Sequence, residues 1–198
     1  MLVDSAVYIS GVRSHDSEPG VGFTWVGLLD PSDDEIQNYQ QQYSLHPLAV
    51  EDAVLGRHRP KLDVYPLHSF LILKTLMFNK ETSRIVVGDI GIFINEKCIV
   101  IVRHGDAIPM RSIRADLEKH PDRLKVGSTA VLHEVLDRLV DQYVEVARNL
   151  QEDVESLEDI VFDDEIPAPS ARLYTVKREL LEFRRAAFPL IEPLNRLA

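Results

Sequence analysis

From Ser128 onward the apolar positions fall into step. Leu132, Leu136, Leu139, Tyr143, Val146, Leu150, Val154, Leu157 and Val161 recur at intervals of four and three, with one extra four. That is the α-helical period. It predicts one amphipathic helix of about 35 residues, about 50 Å long at 1.5 Å per residue. Pro167 and Pro169 break it, because proline lacks the amide that the helix needs. A second long helix starts at about Ser170, with Leu173, Val176, Leu180, Phe183 and Ala187 as its stripe. Two such helices on a short connection form an antiparallel hairpin.

Upstream the period changes. Phe23 to Leu28, Lys61 to Tyr65, Phe70 to Phe78, Ile85 to Ile94 and Cys98 to Arg103 are rich in β-branched and aromatic residues and read as strands. Polar turns at 79–83 and 95–97 separate the last three, so antiparallel hairpins are expected. Several runs are apolar at nearly every position, the pattern of a sheet covered on both faces. Ser32 followed by Glu35 is a capping box and predicts a helix over 33–43. Pro47 suits a first helical turn, so a short helix is expected after it. Met110 to Lys119 reads as another, closed by His120-Pro121.

The net charge of −10 argues against a nucleic-acid partner, since a phosphate backbone calls for clustered Lys and Arg. Its placement is more informative. Between Glu134 and Glu165 twelve acids face only Arg138 and Arg148, so this one segment carries the whole excess. The second helix is mixed to basic, and an acidic helix beside it could attract it along its length.

Glu134, Asp137, Asp141, Glu145, Glu152, Glu155 and Asp159 are expected on one face, opposite the apolar stripe. Like charges at that spacing cost a few tenths of a kcal/mol per pair, about 0.2–0.5, and a cation between them would remove the cost. The plain alternative is a solvated helix face. Carboxylates suit Mg²⁺, Ca²⁺ and Mn²⁺; the seven histidines are scattered and Cys98 sits in an apolar run as a buried small residue. Hydrated Mg²⁺ is the best match, as it keeps several waters and takes only one or two carboxylates. Glu51-Asp52 is a second acidic feature. Adjacent acids on a helix diverge, so the two would serve different sites, and read alone they are surface charge. No nucleophile elbow, phosphate-binding glycine loop or His-Glu-x-x-His is present, and the chain is expected not to be an enzyme.

The sequence resembles the CorA family of magnesium and cobalt transporters. The resemblance rests on Trp25-Val26-Gly27-Leu28, His46-Pro47-Leu48-Ala49-Val50-Glu51-Asp52, Arg59-Pro60-Lys61-Leu62-Asp63-Val64-Tyr65, Phe70-Leu71-Ile72-Leu73-Lys74-Thr75 and Val102-Arg103-His104-Gly105. It continues through Leu136-Asp137-Arg138-Leu139-Val140-Asp141-Gln142-Tyr143, Leu157-Glu158, Val161-Phe162, Lys177-Arg178-Glu179-Leu180-Leu181 and Arg184-Arg185-Ala186-Ala187-Phe188-Pro189-Leu190. Order and spacing hold from about residue 23 to the end.

The resemblance implies an α/β/α sandwich with a mixed, largely antiparallel sheet over residues 1–125. A long antiparallel helix hairpin over 126–198 would then lead toward a stalk and two membrane helices. It implies a homopentamer at the cytoplasmic face of the cell membrane, with the present piece soluble and by itself a monomer or dimer. Regulatory Mg²⁺, with Co²⁺ as a second possible ion, would bind between neighbouring subunits and hold the pore closed. The implied metal ligands are Glu51, Asp52 and Asp137, with Asp141 one turn further on. In the family the partner of Asp52 is a carboxylate on the adjoining subunit's stalk helix. The family's Gln-Arg-Pro-Lys is here His58-Arg59-Pro60-Lys61, and its Gly-Met-Asn pore signature has no counterpart in these residues. Two other readings stay open: the corresponding domain of a zinc-transporting relative, and a non-transport module whose helix hairpin is an interaction surface.

Overall fold

Seven strands build one sheet: β1 (Leu2–Ile9), β2 (Val12–Ser14), β3 (Phe23–Leu29), β4 (Lys61–Val64), β5 (Ser69–Asn79), β6 (Arg84–Ile94) and β7 (Cys98–His104). Their order in the computed structural model, which describes residues 1–14, 21–56, 58–105, 108–161 and 170–197, is β2-β1-β3-β7-β6-β5-β4. Every pairing is antiparallel except the central β3–β7 pair. Along each inner strand, side chains alternate between two cores. Trp25, Leu71, Leu73, Ile99 and Ile101 go to one face, and Val26, Phe70, Ile72, Val100 and Val102 to the other. This double burial explains the unbroken apolar runs.

Helices α1 (Asp33–Tyr43) and α2 (Pro47–Leu55) cover the second of these faces through Ile36, Ala49, Val50 and Ala53. The first face is covered by α3 (Met110–Glu118), α4 (Pro121–Leu124), α5 (Ser128–Val161), α6 (Ser170–Ala187) and, after a 3-10 turn at Phe188–Leu190, α7 (Ile191–Leu197). The architecture is an α/β/α sandwich with a mixed, largely antiparallel sheet, from which the long α5 and α6 continue as an antiparallel hairpin. Among the described residues no helix is long and apolar enough to cross a membrane.

The capping box at α1 is present: Ser32 Oγ accepts from the Glu35 amide at 3.3 Å and Glu35 Oε2 accepts from the Ser32 amide at 3.0 Å. The β1–β2 hairpin was not foreseen. Its strands carry apolar residues on both faces, with Asp4 and Ser5 between them, so alternation gives little contrast. The turn itself, Ser10-Gly11, has φ of 52° and 83°, the left-handed pair that a two-residue hairpin uses. Gly11 is also pressed against α4: a Cβ there would stand 2.0 Å from the Pro121 carbonyl oxygen.

Two helix stripes differ in detail from expectation. On α5 the buried set includes Val131 and Val135, and burial is continuous only to Leu150; beyond it the helix leaves the sheet, only Leu157 is buried, and Val161 is exposed. On α6 the buried positions are Val176, Glu179 and Ala186, while Leu173 and Leu180 are exposed. Glu179 explains the rotation. Its Oε2 accepts from the Ile85 amide at 2.8 Å and its Oε1 from Arg178 at 2.7 Å. β7 pairs with β6 only from Asp89 on, so this end of β6 is an open edge that α6 caps. The expected attraction between α5 and α6 is not made by ion pairs among the described residues. Arg178 and Arg185 pair within α6, and a hydrogen bond from Arg172 to Ser156 Oγ at 2.9 Å crosses the hairpin. The helix break assigned to Pro167 and Pro169, and the acids Asp163, Asp164 and Glu165, lie outside the described residues.

Candidate metal centre

Helix α2 carries the first two candidates. His46 caps it, with Nδ1 accepting from the Leu48 amide at 3.3 Å, and Pro47 occupies the first turn. Ala49, Val50 and Ala53 turn inward to the sheet. That leaves Glu51 and Asp52 on different outward directions, as adjacent helical residues must be. Glu51 is exposed on the wall of a groove of about 280 Å³ between α1 and α2.

Asp52 is half-buried and already engaged. Its Oδ2 accepts from Lys61 Nζ at 2.7 Å, and Oδ1 lies 3.5 Å from His58 Nε2. Lys61 also pairs with Asp63 at 2.6 Å. Partial burial opposes the Lys61 charge, yet the hydrogen bonds to Asp52 and Asp63 prevail and hold its pKa above the ordinary lysine value. Sequence reasoning missed this partner. Part of the signal was available: strand alternation places Lys61 and Asp63 on one face of β4, directly after the conspicuous Arg59-Pro60.

Asp137 and Asp141 are exposed, one turn apart on the outer face of α5. Among the described residues Glu51, Asp137 and Asp141 form no ion pair. Glu134, expected on the same solvated face, does not belong to it. It is 5% exposed and clamped by Arg123 at 2.7 Å and Arg138 at 3.2 Å. Arg138 reaches on to Asp116 at 3.2 Å, so the arginine nearest the ladder is spent on joining α5 to α3 and α4.

The sheet separates the two acidic features. α2 packs on one face and α5 on the other, so Glu51 and Asp52 cannot share an ion with Asp137 and Asp141 of the same chain. No group of three or more His, Cys, Asp or Glu among the described residues is disposed to hold a metal. The donors are hard oxygens. The single thiol is no candidate ligand, because Cys98 is fully buried and burial pushes its pKa up to about 11. One or two free carboxylates with water completing the shell match what Mg²⁺ takes.

Residues 20–198 match the family described as CorA-like Mg2+ transporter protein. The chain is 27% identical over 180 residues, 91% of its length, to the putative metal ion transporter YfjQ of Bacillus subtilis. It is 24% identical over 177 residues, 88% of its length, to the cobalt/magnesium transport protein CorA of Thermotoga maritima. It spans about half of these relatives, 55% and 50% of their lengths. The solved cytoplasmic domain of ZntB from Vibrio parahaemolyticus, a name that zinc transport proteins carry, superimposes with a TM-score of 0.70 at 14% identity, over 95% of this chain and 75% of that one.

Proposed function

Since this chain belongs to the family of CorA-like Mg²⁺ transporter proteins, we propose that it is the cytoplasmic regulatory part of a divalent-cation transporter, gated by Mg²⁺ bound between copies. The observation that supports this reading is the placement of outward carboxylates on both sides of the sheet, Glu51, Asp137 and Asp141 without an ion pair among the described residues and Asp52 held by Lys61. Glu51 and Asp52 look away from Asp137 and Asp141, so a cation that joins them joins two molecules. Like-charged surfaces then repel when the ion leaves and hold together when it binds. Mg²⁺ and Co²⁺ are the transported ions on this reading, by analogy with the Thermotoga maritima relative, and a closed ring of five copies is the proposed assembly.

The energetics favour several sites acting together. A sensor of free Mg²⁺ needs a Kd on the order of 1 mM, about −4 kcal/mol. One site at tenfold excess of ligand then contributes about 1.4 kcal/mol. Shifting a gate from 1:99 to 99:1 takes about 5.5 kcal/mol, so about four coupled sites suffice. A ring supplies them by symmetry.

The test is limited proteolysis of the chain with and without 10 mM Mg²⁺, set beside the triple variant Glu51→Ala, Asp52→Ala, Asp137→Ala. Mg²⁺ should slow cleavage of the parent and leave the variant unaffected; equal protection of both removes the assignment. A zinc-carrying function is the second reading, favoured by the fold shared with the ZntB domain. Calorimetric titration separates them: heat from Mg²⁺ at millimolar concentration supports the first, heat from Zn²⁺ alone the second.

A further inference from the structure

A groove of about 580 Å³ runs between the end of α6 and the β4–β5–β6 side of the sheet, with Arg59, Val87, Leu181, Arg184, Phe188 and Pro189 in its wall. Its volume is in the range of small-ligand sites. The wall has two kinds of surface. One is apolar and open to solvent: Val87 is 40% exposed, Leu181 41% and Phe188 68%. Burial of Val176, Glu179 and Ala186 turns α6 so that Leu181 and Arg184 lie on its outer side. The 3-10 turn that carries Phe188 is anchored by the buried Leu190 and stiffened by Pro189, so the exposed ring stands on a fixed backbone. Apolar residues that share one concave wall rimmed by polar groups mark a binding surface, whereas singly scattered ones need no explanation.

The other surface is cationic. Lys74 is held by its cross-strand neighbour Asp89, and Arg185 by Glu182 at 2.8 Å. Glu182 is the one carboxylate among the described residues of the wall, and that pair uses it. Asp52, which lies behind His58, is held by Lys61. Arg59 and Arg184 are exposed and form no ion pair among the described residues. Two uncompensated guanidinium groups beside an exposed aromatic ring suit a ligand with a flat apolar part and more than one negative charge. We propose that this groove binds a nucleoside diphosphate or triphosphate, with its base against Phe188, Leu181 and Val87 and its phosphates on Arg59 and Arg184. Guanidinium groups take phosphate oxygens through paired hydrogen bonds, and an aromatic base packs on Phe188 offset or edge-on. A fatty acid brings one charge to two arginines, and a small dicarboxylate brings nothing to the apolar wall. The site does not depend on the carboxylates assigned to Mg²⁺.

The whole chain is titrated calorimetrically, with EDTA present and ionic strength held constant by NaCl, against ADP, pyrophosphate and adenosine. ADP is expected to bind with a Kd on the order of 1 mM or tighter, and more tightly than either pyrophosphate or adenosine. Arg59→Gln and Arg184→Gln should each weaken ADP binding about threefold to fivefold. Phe188→Ala should weaken it about threefold to tenfold and leave the affinity for pyrophosphate unchanged. All three side chains are exposed, so these substitutions leave the core intact. No saturable heat up to about 10 mM ADP, pyrophosphate binding as tightly as ADP, or an unchanged Kd for ADP in any of the three variants would each overturn the proposal.

Discussion

Asp52 and Lys61 meet at 2.7 Å, and the same ammonium lies 2.6 Å from Asp63. A carboxylate assigned to a divalent cation is thus held by a cation of its own chain. Lys61 ties α2 to the β4 edge, and on the function proposed above it would compete with a cation for Asp52.

This competition sets the first prediction. The Lys61 and Asp52 side chains are 38% and 23% exposed, so their pair is worth on the order of 0.5–1 kcal/mol. Lys61→Gln releases Asp52 and should tighten Mg²⁺ binding about twofold to fivefold, read as a lower Mg²⁺ midpoint for protection from proteolysis. Asp52→Asn should raise that midpoint. Equal midpoints in parent and both variants would take Asp52 out of the metal site.

Glu134 and Asp137 look alike in the sequence and differ in the fold. Glu134 is buried between Arg123 and Arg138, whereas Asp137 is exposed and unpaired. Glu134→Gln weakens two charge-assisted bonds in a buried place and should cost about 1–2 kcal/mol of unfolding free energy in urea. Asp137→Asn relieves repulsion with Asp141 and should be neutral or stabilise by about 0.2–0.5 kcal/mol. Equal effects of the two substitutions would mean that Glu134 is not the clamp described.

That contrast also marks how far the sequence could be read. Periodicity located α5 within a residue at its start, and the capping pair Ser32 and Glu35 bounded α1, because those signals are local. The strands from Phe23 to His104 were legible for the same reason: double burial leaves apolar runs that no loop would carry. What stayed hidden depends on partners distant in the chain. Glu134 needs Arg123 across a turn, Glu179 needs the open amide of Ile85, and β1 needs β3 beside it before its mixed pattern makes sense. At the site, residue type pointed to hard cations, and the resemblance pointed to Glu51, Asp52, Asp137 and Asp141. Neither revealed the Lys61 bond: alternation puts Lys61 and Asp63 on one face of β4, but only the fold brings Asp52 of α2 against that face.

His68 ties the start of α2 to the sheet and carries the last prediction. It is 5% exposed, its Nε2 accepts from the His46 amide at 2.9 Å, and its ring sits between Tyr65 and Phe93 at 5.1 Å and 5.6 Å. Burial, helped by the nearby His46 and opposed by a weaker hydrogen bond to the Ser69 backbone, lowers its pKa below the ordinary 6.5. The folded chain therefore holds His68 neutral where the unfolded chain would protonate it. Its contribution is fully present above pH 6.5 and is lost as pH falls below that value toward the depressed folded pKa. Protonation also turns Nε2 from acceptor to donor, which detaches the His46 amide and loosens the helix that bears Glu51 and Asp52. Urea unfolding at pH 7.5 and 5.5 should show the parent losing more stability on acidification than His68→Gln. Gln keeps an acceptor for the His46 amide but cannot titrate, so an equal loss in both proteins would exclude His68 as the titrating group.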